Sequence, residues 1–352
     1  MNGVESSPMQ EESSTQTVQQ ESKQKRNGPL ATWLVRLLKA AVTVGLLYIL
    51  VSTISREALI EAFKTADTTF IILAVLLVPL NLLLQGERWT ILVHTEIPDI
   101  PYKRVFASFL GGLSLGLITP GRVGEIGRVF LLEAPSRWRL AGLHILDKLY
   151  FVGAVTLIGP ALLYWMPGFH EALPENLRAG TVILVSLLPL LYFFIALYPS
   201  PIKWLLLVLQ LAMGAKGKVL ELLRAYEGIQ PRHSIQLTAI TLVQFVVILT
   251  QFWLLSLAFE SVPWLTAAHT YAAALFVKTA LPVSLGSLGV GEWAAVSFYQ
   301  RYGIAEATGF SASMILFGIN VLVPGLLGLF VLYRMRPQAL LRRLGLARGE
   351  ES

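Results

Sequence analysis

The sequence predicts an all-α integral membrane protein, with about six full transmembrane helices plus two broken re-entrant helix pairs in an inverted repeat. Three observations predict it. Of the 352 residues, 55% are hydrophobic and only 14% charged, with mean hydropathy +0.63, whereas a soluble domain carries about a quarter charged residues. Several apolar stretches are long enough to cross ~30 Å of hydrocarbon at ~1.5 Å per helical residue. Two further apolar runs are each interrupted by proline and glycine, then resume after a Gly-Glu pair.

In chain order, residues 1–29 form a polar tail with too little apolar content to bury a core, and are expected to be a disordered cytoplasmic segment rather than a signal peptide. The membrane domain is expected over 30–334, followed by a basic cytoplasmic tail at 335–352. Full spans are expected at about 31–53, 68–87, 149–167, 180–198, 235–258 and 308–333, and broken runs at about 105–119 and 264–283. Polar connections fall at 54–67, 88–104, 168–179 and 199–234. Within the last, Lys203 to Tyr226 is apolar in its first half and charged in its second, as in an interfacial helix with Trp204 at headgroup level.

Basic residues set the orientation. With the N-terminus inside and the two broken runs re-entrant, only Arg56, Lys64, Arg178 and Arg301 of the 28 Lys and Arg fall in outer loops, and Lys278 lies in the second broken run. Apart from Arg36 and Lys39, which fall within the first expected span, the rest are inside, as the positive-inside rule requires. If each broken run crossed once, the basic loop 199–234 would face outward, so charge bias favours re-entrance. Both termini are then cytoplasmic, in a multi-pass protein of the inner (plasma) membrane.

The broken runs resemble each other. "FASFLGGLSLGLITPGRVGEIGRVFLL" (106–132) and "YAAALFVKTALPVSLGSLGVGEWAAVSFY" (271–299) each pass from small residues on an apolar helix to Pro, a Gly-rich turn, Gly-Glu and a second apolar helix. One is entered from the inside and the other from the outside, the arrangement by which many transporters build a substrate site from unwound backbone.

Pro120 and Gly121 end the first helix, and a new one is expected to start near Val123 with its amides aimed into the break. Arg122 and Arg128 add positive charge suited to an anionic headgroup such as a lipid phosphate. Glu125 is three residues from each arginine and can pair with either. The plainer reading is a solvated cytoplasmic turn. In the second run Glu292 has no basic neighbour in sequence until Arg301, and a charge at mid-bilayer usually faces a cavity or bundle interior. It either pairs with Lys278 across the Pro282 turn or sits in a helix first turn, favoured by the dipole. Asp147-Lys148 stands at the start of the third span, as an interfacial anchor or, alternatively, as a gate in which Asp147 meets Arg122 or Arg128. His144 and His269 read as satisfied polar contacts.

Enzyme signals are weak: there is no H-E-x-x-H and no P-loop, and no loop long enough for a catalytic domain. Without cysteine there is no disulfide or thiolate metal site. No metal, cofactor or nucleic acid is expected.

The stretches "SLGLITPGRVGEIGRVFLL", "HILDKLYFVG" and "ALPVSLGSLGVGEWAAVSFYQRYGI" resemble the membrane domain of the lysylphosphatidylglycerol synthases, a flippase-like family, over about residues 30–334. The resemblance implies a lipid flippase-like role with two re-entrant helices. It falls on Pro120, Gly121, Gly124, Glu125 and Arg128, on Asp147 and Lys148, and on Pro282, Gly289, Gly291 and Glu292. Gly286-Ser287 stands where Gly-Gly is common, and Asp147-Lys148 where Glu-Arg is usual. The chain is expected to stand without the aminoacyltransferase domain of full-length synthases. The expected function is movement of a lipid or lipid-linked headgroup between leaflets, with an anionic headgroup as partner. The rival is a non-transporting partner of a lipid-modifying or glycosyl-transferring membrane enzyme. A homo-oligomer fits either.

Overall fold

The computed structural model describes residues 60, 64–198, 203–204, 208, 210–212, 217–280 and 289–334. The expected first span (31–53), both tails and the Pro282 turn lie outside the described residues. Every regular element among the described residues is helical, as backbone groups in hydrocarbon must bond within their own segment.

Helices α1 (Thr68–Leu76) and α2 (Val78–His94) form one apolar span interrupted at Leu77. Pro79 follows the interruption and has no N–H to bond back into the preceding turn. Helix α3 (Tyr102–Ile118) ends at Thr119, whose extended ψ of 140° is what a residue before proline prefers. Pro120–Leu131 then winds as a 3-10 segment back along α3. Glycines on both arms allow this approach. A Cβ on Gly124 would lie 2.1 Å from the Leu115 carbonyl oxygen, and one on Gly112 would lie 2.8 Å from Arg128 Cβ.

Helices α4 (Arg137–Tyr164) and α5 (Glu175–Leu197) cross next, joined by a loop, and the short charged helix α6 (Gly217–Arg224) follows. Helix α7 (Pro231–Leu257) is the most buried of the spans. Helices α8 (Trp264–Ala280) and α9 (Val290–Gln300) form the second hairpin, with Gly291 against the Lys278 stem. The last span joins α10 (Glu306–Phe317), a π turn at Gly318–Leu322 and α11 (Val323–Arg334). Pro324 offers no N–H to the Asn320 carbonyl four residues earlier, which accounts for a widened turn there.

Five of the six expected spans therefore correspond to helices long and apolar enough to cross a membrane. Three boundaries are corrected. The connection expected at 88–104 begins inside α2, which runs to His94 and buries Arg88. The span expected from 149 begins at Arg137, so Asp147-Lys148 lies ten residues, about 15 Å, into α4 rather than at its start. The α-helix expected from Val123 is a 3-10 segment that begins at Pro120.

The two halves repeat one order: long helix, hairpin, long helix. Helices α1–α2 and α7 pack antiparallel: Asp67 N–H donates to Ala258 O, Gln251 to Ala74 O and Gln244 to Asn81. Packing between halves is reciprocal. The leading helix of the first hairpin lies on α11, where Ser114 Oγ donates to Gly325 O at 2.6 Å and a Cβ on Gly328 would meet Leu110 O at 2.0 Å. The leading helix of the second lies on α4, where Gly159 meets Phe276 and His269 contacts Leu162 O.

One face of the bundle is tied by Glu96–Arg139, Ser136–Glu221 and Lys203 to the Glu227 and Ile229 carbonyls. The opposite face is tied by Arg301 to Pro167 O, Tyr302 to His269 and Glu260 to Thr308. Exposed Trp138, Tyr198 and Tyr333 mark the first face and Trp165 and Trp264 the second, as aromatic side chains do at the two lipid–water boundaries. Leu184, Leu187, Leu190, Leu191 and Phe194 of α5 are exposed between those belts. The chain is a multi-pass membrane protein.

Candidate functional site at the first hairpin

The first hairpin carries a buried charge cluster. The Asp147 carboxylate receives Arg88 Nε on Oδ1 and Arg128 Nη2 on Oδ2, each at 2.6 Å. Arg88 Nη1 also donates to Gln244 Oε1 at 2.8 Å and to Thr241 Oγ1 at 3.3 Å. The Arg128 guanidinium stacks 3.9 Å from the Trp89 ring centroid. Trp89 is held by Ser108 Oγ at 3.1 Å, with His144 edge-on at 6.4 Å. Arg88, Arg128 and Asp147 are all buried. This half of the cluster is closed to solvent, with Arg128 Nε the one guanidinium nitrogen of the two arginines buried without a hydrogen-bond partner.

The other half is open. The Glu125 carboxylate lies 2.5 Å from Arg122 Nε on one oxygen and bonds Lys148 Nζ on the other. Glu125 is buried, but the side chains of Arg122 and Lys148 are 30% and 45% exposed. Arg122 adopts φ +58°, a left-handed conformation that costs an L-residue about 1–2 kcal/mol. Gly124 N–H donates to Thr119 Oγ1 at 2.7 Å, so that amide is not directed into the break. Exposed apolar side chains flank the two cations: Val123 beside Arg122, and Ile145 and Leu149 on the same face of α4 as Lys148. In all, four cations face two carboxylates. An excess of positive charge next to exposed hydrocarbon suits a ligand that is anionic at one end and apolar at the other.

A family profile described as the lysylphosphatidylglycerol synthase TM region matches residues 36–328. The chain belongs to that family. A comparison with curated proteins finds no match.

The family resemblance in the sequence picked out residues that the fold gathers into two places. Glu125 and Arg128 meet Asp147 and Lys148, with Arg122 beside them; Pro120 and Gly121 open the 3-10 segment, and Gly124 packs on Leu115. Asp147 does meet Arg128, the contact on which the gating alternative depends, and its carboxylate is buried. In the second hairpin Glu292 is buried and accepts the Gly289 N–H at 2.6 Å, which is the first-turn capping alternative. Gly289 adopts φ +92°, which its lack of a Cβ permits. Among the described residues no ion pair within 4 Å joins Glu292 to Lys278, which lies against Gly291 instead. Pro282 lies outside the described residues. His269 is satisfied by Tyr302 and Leu162, as expected, whereas His144 Nδ1 is buried without a partner.

Sequence reasoning missed Arg88, Trp89, Asn81, Gln244 and Gln251. A signal was present: Asn81 and Arg88, and Gln244 and Gln251, are polar pairs seven residues apart in apolar helices, hence on one face.

Proposed function

We propose that this protein moves a lipid with an anionic headgroup between the leaflets of the inner membrane. The supporting observation is the half-exposed pair Arg122 and Lys148, held on the buried Glu125 and bordered by exposed Val123, Ile145 and Leu149. A headgroup phosphate competes with Glu125 for the two cations while the acyl chains stay against the apolar border. The closed Arg88–Asp147–Arg128 unit fixes the floor of the site and keeps the local charge positive. In this reading the hairpins are re-entrant, the first from the cytoplasmic side and the second from the outside, and both termini are cytoplasmic. Charged groups in hydrocarbon are costly and in transporters face the substrate route. The protein carries out no covalent chemistry in this reading.

The test is translocation in proteoliposomes, using fluorescent phosphatidylglycerol, phosphatidylcholine and a lipid-linked sugar phosphate as probes. Faster loss of the anionic probes from one leaflet than in protein-free vesicles is expected, with phosphatidylcholine slower. Rates equal to protein-free vesicles for every probe would leave the scaffold reading in its place.

A further inference from the structure

A second polar feature leads away from this site. Between α2 and α7 a chain of side-chain amides runs through the apolar bundle. Arg88 Nη1 donates to Gln244 Oε1 at 2.8 Å, Gln244 Nε2 to Asn81 Oδ1 at 3.2 Å, and Asn81 Nδ2 to Asn320 Oδ1 at 2.9 Å. Asn320 Nδ2 donates to Gln251 Oε1 at 2.9 Å, and Gln251 Nε2 to Ala74 O at 3.1 Å. From Arg88 to Ala74 the chain follows α2 and α1 for fourteen residues, about 21 Å of a ~30 Å hydrocarbon layer.

Single amide bonds between membrane helices are ordinary; the position of this seam distinguishes it. It joins the two irregular places in its helices: its far end is the Ala74 carbonyl at the α1–α2 interruption, and Asn320 lies within the π turn. Helix irregularities of this kind are where segments bend with the smallest loss of backbone bonding. Its near end is Arg88, which is bonded to Asp147 of the charge cluster.

We infer that this amide seam is the route along which the headgroup crosses, opened by bending at Leu77 and at the π turn. The inference rests on the transport reading above. Each amide N–H in the seam exchanges its oxygen acceptor for a phosphate oxygen and regains it when the headgroup has passed. The donors are thus satisfied with the seam closed as well as occupied.

The protein has no cysteine, so single cysteines report opening directly. Gln251→Cys and Asn320→Cys are compared with Ala272→Cys, a fully buried position on α8 away from the seam. The probe is a negatively charged methanethiosulfonate, applied to the full chain in phosphatidylcholine vesicles with and without phosphatidylglycerol. A seam open even roughly 1% of the time labels both cysteines well above the Ala272→Cys rate, and phosphatidylglycerol slows that labelling. As a second measurement, Gln251→Leu removes one polar stage and is expected to slow anionic lipid translocation about tenfold while leaving phosphatidylglycerol binding unchanged. Labelling at the Ala272→Cys rate, or fast labelling that phosphatidylglycerol does not slow, overturns the route and leaves the headgroup site standing. A wild type that moves no lipid in these vesicles overturns the transport reading and the route with it.

Discussion

Asp147 is the position where one substitution tests the charge cluster most severely. Its carboxylate is the acid bonded by both Arg88 and Arg128, whose side chains are only 5% and 3% exposed. Removing one partner of a buried ion pair costs about 3–5 kcal/mol, because the remaining charge has neither partner nor water. Asp147→Ala strands two guanidinia and is expected at the upper end, about 5 kcal/mol. Asp147→Asn keeps one acceptor oxygen and is expected nearer 3 kcal/mol. Arg88 retains Gln244 and Thr241 in either variant, and Arg128 retains the Trp89 face, so the cost does not double. Lys148→Met is the comparison. Its side chain is 45% exposed and Glu125 keeps Arg122, so a loss of about 1 kcal/mol or less is expected. The assay is reversible unfolding in mixed micelles titrated with dodecyl sulfate and followed by tryptophan fluorescence. Asp147→Asn within about 1 kcal/mol of wild type, or Lys148→Met the more damaging of the two, would refute the division into closed and open halves.

Other substitutions probe other parts of the same account. Gly328→Ala places a Cβ 2.0 Å from Leu110 O and should cost about 1–3 kcal/mol, whereas Gly180→Ala, with nothing within 4 Å, should gain up to about 1 kcal/mol; thermal unfolding in detergent separates them. Arg122→Gly removes the strain of φ +58° and should melt no lower than wild type while weakening phosphatidylglycerol binding, and Arg122→Val should lose both stability and binding, as read by melting and lipid co-purification. Glu292→Gln keeps an acceptor for the Gly289 N–H and should cost under about 1 kcal/mol, while Glu292→Ala leaves that buried donor unpaired and should cost about 1–3 kcal/mol in the same dodecyl sulfate titration.

The sequence revealed the class, five of the spans and the first break because each has a local cause. Apolar length marks α1–α2, α4, α5, α7 and the last span, and Pro120 marks the first break. Glu125 and Arg128 could be named from one motif, and Asp147 from another, but their meeting depends on how the 3-10 segment folds back against α4. The start of α4 was misplaced because Arg137, Arg139, Asp147 and Lys148 lower the local hydropathy, although burial and pairing keep that stretch helical. Arg88 was assigned to a loop for the same reason. Its partners, 59 and 156 residues away, carry no local signal. The 3-10 geometry of Pro120–Leu131 was also not legible, since it follows from glycine contacts across the hairpin rather than from propensity.

The most direct test of the headgroup site is the Arg122→Gln, Lys148→Gln double variant in the proteoliposome translocation assay. Both substitutions remove charge from half-exposed side chains and leave the buried Arg88–Asp147–Arg128 unit intact. The account predicts a variant that still folds, although the buried Glu125 loses both its cations at a cost of about 3–5 kcal/mol, that moves phosphatidylglycerol at least about tenfold more slowly, and that moves phosphatidylcholine at the wild-type rate. Wild-type movement of phosphatidylglycerol by the folded double variant would contradict it.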